Sequence, residues 1–186
     1  MGNYFGCSAV GHYFYYINFR TKQLPLKQKA FIMTTLQEGK KAPAFKGVDQ
    51  NGTAISLNDF KGKKLVLYFY PKDNTPGCTA QACNLRDNYS VLLKKGFAVV
   101  GVSAGTIKSH KNFETKFNLP FPLIADEGHA IAEKYGVWDL KKFMGREFMG
   151  IVRTTFLIDE TGKIQHIINK PDTKNHTEEI LKLWSE

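Results

Sequence analysis

The sequence has few cysteines and no long apolar run, and each absence excludes a class of protein. Three cysteines in 186 residues are too few for a small secreted domain held together by disulfides, which carries a denser and usually even-numbered set. A reducing compartment, the cytoplasm, is therefore expected. No apolar run approaches the roughly 18 to 20 residues that a membrane-spanning helix needs, so no membrane partner is expected.

Acidic residues are missing from the first part of the chain. Residues 1–33 contain no Asp or Glu, and their positive charges follow an apolar stretch instead of preceding it as in a secretory signal. We expect residues 1–33 to be an N-terminal extension that is disordered or, for residues 1–32, not part of the native protein, with Met33 as the working start. Cys7 lies in this segment and receives no role. Residues 34–186 are expected to form one domain.

The chain is basic, with a formal net charge of +9. Arg20, Lys22, Lys27 and Lys29 supply four of these charges, and the others are spread along the chain without forming one block. Nucleic-acid binding proteins usually gather their basic residues on one face or stripe. The pattern here favours an ordinary solvated basic surface, and no nucleic-acid partner is expected.

The apolar residues after residue 40 predict alternating strands and helices. Two continuous apolar runs, LVLYFY at 65–70 and FAVVGVSA at 97–104, are typical of strands buried on both faces. Helical spacing that ends at Gly96 predicts a helix over 76–95. The stretch 152–170 predicts a hairpin around the turn DETGK. The other predicted elements are a polar connector at 54–64, helices at 106–118, 128–136 and 175–186, and a strand at 121–126.

No internal repeat and no low-complexity segment interrupts this pattern. Strands joined by helical crossovers, followed by a closing hairpin and helix, make a mixed sheet covered on both faces. The sequence therefore predicts an α/β protein with a thioredoxin-like fold, a central mixed sheet and helices on both faces of the sheet.

The stretch YPKDNTPGCTAQAC places a cysteine at the start of the first predicted helix. Thr75 is a natural N-cap and Pro76 suits the first helical position, which makes Cys78 the third residue. Unpaired N–H groups and the positive end of the helix dipole stabilise an anion there, so the position suits a nucleophilic thiolate. Gly77 opens the approach to the sulfur, and Pro71 can shield the pocket from water. The position alone is equally compatible with a small apolar residue of the core.

A second cysteine, Cys83, follows five residues later. On an unbroken helix this spacing corresponds to about 7.5 Å of rise and about 140° of rotation. The two Cα atoms would then stand about 8 to 9 Å apart, beyond the roughly 7 Å limit for a disulfide. A disulfide between Cys78 and Cys83 therefore requires the helix to unwind locally.

A structural zinc site built on these cysteines would need a second pair of ligands at short spacing. The histidines of the predicted domain are scattered, without such a pair: His110, His129, His166 and His176. No metal and no cofactor is expected.

With these motifs the sequence resembles the bacterioferritin comigratory protein and peroxiredoxin Q group of peroxiredoxins over residues 34–186. The P-x-x-x-T-x-x-C pattern of that family is present as Pro71, Thr75 and Cys78, and the C-x4-C pair of the group as Cys78 and Cys83. The stretch YGVWDLKKFMGREFMGIVRTTFLIDETGKI matches the C-terminal half. The resemblance implies a thiol-dependent peroxidase of antioxidant defence that reduces hydrogen peroxide and organic hydroperoxides.

The resemblance also implies a role for each cysteine. Cys78 would be the peroxidatic thiolate, which attacks the O–O bond of the peroxide and becomes a sulfenic acid. Cys83 would be the resolving thiol, which forms an intrachain disulfide with Cys78. Thioredoxin or a similar dithiol would reduce that disulfide. A monomer or weak homodimer is expected.

Arg153 matches the active-site arginine of the family. Negative charge moves from sulfur to the leaving oxygen during the reaction, and a guanidinium near both stabilises it before and during the displacement. Without the resemblance, Arg153 would be interpreted as an exposed strand residue. Thr75 would exchange hydrogen bonds with the peroxide and the sulfur, and Gln81, one turn after Cys78, would help to orient the arginine.

Two other functions are compatible with parts of the pattern. A thioredoxin-like disulfide reductase is disfavoured because the sequence contains no C-x-x-C motif. A peroxide sensor or redox-regulated binding protein, signalling through oxidation of Cys78, is the alternative from another class. Gly105 has no catalytic consequence in this interpretation, and Trp138 is expected to serve packing.

Overall fold

The computed structural model describes residues 34–143 and 145–185. The predicted N-terminal extension at 1–33, with Cys7, lies outside the described residues. Within the described ranges, every helix falls short of the length and apolar character that crossing a bilayer demands.

Strands and helices alternate along the described part of the chain. The strands are β1 (Lys46–Val48), β2 (Ala54–Ser56), β3 (Lys64–Phe69), β4 (Phe97–Ser103), β5 (Leu123–Ala125), β6 (Trp138–Phe143), β7 (Arg146–Ile151), β8 (Thr154–Ile158) and β9 (Ile164–Ile168). The α-helices are α1 (Pro76–Asp87), α2 (Tyr89–Lys94), α3 (Ile107–Phe117), α4 (Ala130–Lys134) and α5 (His176–Ser185). A 3-10 helix, Leu57–Phe60, follows β2.

The central sheet has five strands in the order β5-β4-β3-β8-β9. β3 pairs in parallel with β4, and β4 with β5, as strands joined by helical crossovers do. β8 pairs antiparallel with the other edge of β3, and β9 with β8, across the predicted hairpin turn. The predicted mixed sheet and C-terminal hairpin are confirmed.

The central strand β3 is buried because its side chains alternate between two apolar layers. Leu65 and Phe69 pack on one side with residues of α4. Tyr68 and Tyr70 pack on the other side with residues of α1, α3 and α5. Helices thus cover both faces of the sheet, as predicted, and α1 lies on the layer that contains Tyr68 and Tyr70.

The predicted helix at 76–95 is divided in two. Asn88, between α1 and α2, has φ −104° and ψ 10°. Its Nδ2 donates to the carbonyl of Asn84 at 2.9 Å, a side-chain-to-backbone bond of the kind that competes with helical hydrogen bonding. After the break, Leu93 on α2 is 51% exposed.

Two segments differ from their predicted structure. The predicted polar connector at 54–64 contains β2 and the 3-10 helix, whose start is stabilised by the Ser56 N–H donating to Asp59 Oδ2 at 2.7 Å. The antiparallel hairpin of β6 and β7 was not predicted. It turns at Gly145, where φ is +79°, and its strands mix apolar and charged residues without the regular alternation that predicts a strand.

Candidate active site

Cys78 is the third residue of α1, as predicted. Thr75 occupies the N-cap position with an extended backbone (φ −90°, ψ 150°), and Pro76 is the first helical residue. Cys78 is 1% exposed. Its sulfur therefore lies in a nearly dry position at the helix end where unpaired N–H groups and the dipole favour negative charge.

Residues 71–75 form the loop that connects β3 to this helix. The N–H of Tyr70 still pairs with the Val102 carbonyl at 3.1 Å, and strand pairing stops at Pro71, which has no N–H to donate. Thr75 Oγ1 donates to the carbonyl of Lys72 at 3.0 Å and does not cap α1. The N-cap position of Thr75 is thus confirmed, but its side-chain cap is absent. Pro71 is half-buried, and its shielding role stays a prediction.

Arg153 reaches the sulfur of Cys78 from the link between β7 and β8. Its Nη2 donates to Cys78 Sγ at 3.1 Å, across a sequence separation of 75 residues. Its Nη1 donates to Gln81 Oε1 at 2.5 Å, so the guanidinium bridges two residues one turn apart on α1. Arg153 is half-buried and lies outside the strands, so its interpretation as an exposed strand residue is wrong.

The guanidinium is the stronger of two influences that favour the thiolate. Two unit charges about 4 Å apart attract by about 4 kcal/mol at an effective dielectric constant of about 20, before the penalty for burying the thiolate is subtracted. A helix N-terminus contributes about 0.3 to 1 kcal/mol, and about 2 kcal/mol in favourable buried cases. The guanidinium of Arg153 is therefore the main positive charge placed directly against the sulfur.

Lys141 is a second cation near the sulfur, and the sequence did not indicate it. Its Nζ donates to the carbonyl of Ile151 at 3.0 Å, two residues before Arg153. A Cβ at Gly150 would lie 3.2 Å from Lys141 Cδ, so glycine leaves room for the lysine stem. Burial lowers the pKa of Lys141, the charge of Arg153 lowers it further, and the negative charge of Cys78 opposes both. Lys141 is brought toward the site by the β6–β7 hairpin. Recognising that hairpin in the sequence would have indicated the position of Lys141.

Tyr68 lies in the buried layer beneath α1. Its ring is fully buried, and its Oη has no hydrogen-bond partner among the described residues. Burial raises the pKa of Tyr68 well above its ordinary value, and the negative charges of Cys78 and Asp73 raise it further, so the phenol stays neutral. Gly101 is paired with Tyr68 across the sheet. A Cβ there would lie 2.8 Å from Tyr68 Oη, so glycine is required beside this ring.

Cys83 lies on the intact helix α1, half-buried, and both it and Cys78 are free thiols. The part of α1 after Cys83 is fixed to the rest of the domain. Asn84 donates through Nδ2 to a carbonyl before α5 at 2.7 Å and accepts through Oδ1 from a backbone N–H of α5 at 2.8 Å. Arg86 Nη1 donates to the Phe117 carbonyl at 2.7 Å. The part before Asn84 buries only short or polar side chains: Cys78, Gln81 and Ala82. The second part of α1 is therefore anchored to α3 and to α5 and the residue before it, whereas the first part is held by Arg153. The boundary between the two parts follows Cys83.

The described histidines do not form a metal-binding cluster with Cys78. In the ranges that the structure describes, no group of three or more His, Cys, Asp or Glu side chains is placed to hold a metal ion. His129 stacks on Trp138 with ring centroids 3.7 Å apart and planes 11° apart. Trp138 also packs against the core, so its predicted packing role is confirmed.

Comparison with known proteins agrees with the geometry of this site. The family model described as AhpC/TSA family matches residues 38–167. The chain belongs to the AhpC/TSA family. Within that family, the putative peroxiredoxin bcp of Coxiella burnetii is 46% identical over 147 residues, which cover 79% of this chain and 97% of the relative. Peroxiredoxin Bcp of Bacillus subtilis is 44% identical over 148 residues, covering 80% and 94%.

Among solved structures, the bacterioferritin comigratory protein of Xanthomonas campestris, described for its alkyl peroxide reduction activity, superposes on this peroxiredoxin with a TM-score of 0.73. The two are 31% identical, and the match covers 80% of this chain and 98% of the other. The predicted peroxiredoxin group and the thioredoxin-like fold are confirmed. The chain is an oxidoreductase of the peroxidase class.

Proposed function

We propose that Cys78 is the peroxidatic residue of this thiol-dependent peroxidase, that Cys83 resolves its oxidised form, and that hydrogen peroxide and organic hydroperoxides are its substrates. The observation that carries the proposal is the 3.1 Å contact between Arg153 Nη2 and Cys78 Sγ at the start of α1. The alkyl peroxide reduction described for the Xanthomonas campestris relative supports the substrate class.

The first step is attack of the Cys78 thiolate on one peroxide oxygen. The O–O bond breaks, the sulfur is oxidised to a sulfenic acid, and the other oxygen leaves as an alkoxide or hydroxide that takes a proton to become alcohol or water. Arg153 stabilises the negative charge on sulfur beforehand and on the departing oxygen afterwards. Thr75 Oγ1 already donates its proton to Lys72, so it is free to accept a hydrogen bond from the peroxide.

The second step joins Cys83 to the oxidised Cys78. The Cys83 thiol loses its proton and attacks the sulfenic sulfur, an S–S bond forms, and hydroxide leaves as water. Because both cysteines lie on an intact α1, residues 76–83 must unwind first. Unwinding exposes the small side chains of Cys78 and Ala82, at about 0.8 kcal/mol per CH₂-sized group, and it breaks the contact between Gln81 and Arg153. This part of the helix buries no side chain as large as leucine.

The third step returns the enzyme to its dithiol form. We propose thioredoxin or a similar dithiol as the reductant, because an intrachain disulfide exposed by unwinding is open to attack by an external thiolate. We further propose that the protein works in the cytoplasm, as a monomer or weak homodimer; its low cysteine content favours a reducing compartment.

The test is intact mass and peptide mapping after one equivalent of hydrogen peroxide. The wild-type chain should lose two hydrogens as Cys78 and Cys83 bond. Cys83→Ser should gain one oxygen on Cys78, keep a normal first oxidation rate and fail to recycle with thioredoxin. Cys78→Ser should consume no peroxide. Cys7→Ser is the matched control and should behave as wild type.

Peroxide turnover by Cys78→Ser at the wild-type rate would disprove the assignment of the peroxidatic residue. Normal recycling by Cys83→Ser would disprove the assignment of the resolving residue and leave the first step intact.

A further inference from the structure

A buried carboxylate–imidazole pair lies behind the loop that carries the active-site cysteine. The side chains of Asp73, in that loop, and His110, on α3, are 3% and 0% exposed, and Asp73 Oδ2 lies 2.7 Å from His110 Nδ1. The mechanism proposed above does not use either residue. Such a pair is expensive to bury unless each charge is fully hydrogen-bonded, so its partners are informative.

The carboxylate of Asp73 is saturated by donors from two elements. Ser109 Oγ donates to Oδ2 at 2.5 Å, and Tyr70 Oη donates to Oδ1 at 2.8 Å. Burial alone would raise the pKa of Asp73, but hydrogen bonds from His110 and Ser109, with the charge of the imidazole and the Tyr70 phenol, bring it below its ordinary value. The Asp73 carboxylate therefore links the residue after β3, Tyr70, to the α3 residues Ser109 and His110 through hydrogen bonds.

The imidazole of His110 is held by acceptors on both sides. Nδ1 faces the carboxylate, and Nε2 lies 3.2 Å from the carbonyl of Ile124 on β5. Each ring nitrogen therefore faces an oxygen, and the ring is fixed in position from both sides, by the loop residue Asp73 and by β5.

Gly105 makes room for this pair. A Cβ at this position would lie 2.8 Å from His110 Cε1 and 3.1 Å from Asp73 Oδ2. The sequence indicated no role for Gly105, but the structure shows why this residue is glycine: a side chain would collide with the pair.

The loop transmits the position of Asp73 directly to the helix start. Asn74, the next residue, has φ +58°, a left-handed conformation that a residue with a side chain adopts rarely and only when its surroundings hold it. Thr75 follows, and its carbonyl accepts from the Thr79 N–H at 2.9 Å in the first turn of α1. A shift of Asp73 therefore moves Thr75 and, with it, Cys78 relative to Arg153.

We infer that Asp73 and His110 are positioning residues for the peroxidatic step: their buried contact ties the loop at 71–75 to α3 and β5 and thereby holds the Cys78 sulfur against Arg153. The inference rests on the proposed role of Cys78. The pair touches neither thiol in this assignment, and it acts on the first oxidation rather than on the formation of the disulfide.

The test separates the two steps in Asp73→Asn, in His110→Gln and in the double variant. Each single substitution leaves the other side chain of the pair buried without its partner, and we expect the first oxidation by hydrogen peroxide to slow at least about tenfold. Disulfide formation after oxidation should not slow. The double variant replaces both side chains by neutral amides and should recover at least about half of the lost rate on a logarithmic scale, since neither side chain then faces a missing partner.

Two control variants distinguish loss of positioning from a general loss of stability. Ile180→Ala, a fully buried apolar position on α5, should lower the free energy of unfolding without changing the oxidation rate. Gly105→Ala crowds the pair but keeps both of its side chains, and it should also slow the first oxidation. If the Asp73 and His110 variants do not fold, the oxidation rate of Gly105→Ala tests the inference.

First oxidation within about twofold of wild type in both single variants, or in Gly105→Ala where those do not fold, overturns the inference. So does a parallel loss in both steps that Ile180→Ala reproduces. Peroxide consumption by Cys78→Ser would instead overturn the proposed function.

Discussion

Substitution of Ala80 by glycine should accelerate disulfide formation without changing the chemistry of either thiol. Ala80 lies in the first part of α1, between Cys78 and Cys83, and is half-buried. Glycine is about 0.8 to 1.0 kcal/mol less favourable than alanine in a helix interior. If residues 76–83 unwind before Cys83 attacks, the unwound population rises by the corresponding factor of about 5. The rate of disulfide formation should therefore rise about fivefold.

The assay is rapid quench after one equivalent of peroxide, with trapping of free thiols and intact mass at each time. First oxidation of Ala80→Gly should match wild type. Lys182→Gly, an exposed position on α5, carries a similar loss of helix propensity in a helix that need not unwind, and its disulfide rate should match wild type. An unchanged disulfide rate in Ala80→Gly, or an equal acceleration in Lys182→Gly, would refute control by unwinding of α1.

Three further predictions follow from other contacts. Arg153→Lys keeps the charge but loses the planar fork, and the first oxidation should slow about ten- to hundredfold in a peroxide competition assay; a wild-type rate would make the fork dispensable. Gly101→Ala places a Cβ 2.7 Å from Leu123 and 2.8 Å from Tyr68 and should lower the free energy of unfolding by about 1 to 3 kcal/mol; an unchanged urea midpoint would contradict this crowding. Burial lowers the pKa of His176, against the raising influence of Glu179. The unfolded chain therefore binds a proton more readily, and stability present above about pH 6.5 is lost as pH falls toward the folded-state value, by up to about 1.4 kcal/mol per pH unit. His176→Gln should flatten this part of the stability curve, and an unchanged slope would assign it to another group.

Features set by neighbouring residues were predictable from the sequence. The start of α1 depends on Thr75 and Pro76, which lie within three residues of Cys78, and the structure has it at the predicted position. The buried strands β3 and β4 were equally clear, because a run of apolar residues needs no knowledge of its partners. The interruption at Asn88 was missed, since its side-chain bond to the backbone competes with a helix that apolar spacing alone favours.

Contacts between distant residues were not predictable in the same way. Nothing near Arg153 in the sequence indicates Cys78, and only the resemblance to a family joined them. Asp73 and His110 are 37 positions apart, and the histidine appeared as one of several scattered along the chain. Such pairs are created by the packing of α3 against the end of β3, which no local pattern specifies.

With the proposed roles of Cys78 and Cys83, we expect the fixed second part of α1 to set the balance between recycling and irreversible oxidation. The bonds of Asn84 and Arg86 keep everything after Cys83 in place, so the two thiols stay on a short tether when the first part opens. A flexible loop of about ten residues closes in about 10 to 100 ns, and the tether here is shorter. Encounter of the thiols is then never limiting. A second peroxide converts the sulfenic acid to sulfinic acid. The fraction of sulfenic acid that forms the disulfide before this happens would be set by the fraction of time that the eight helical residues 76–83 spend unwound. On this proposal, tolerance of high peroxide is an equilibrium property of a short helix segment, and substitutions that touch neither sulfur should change it.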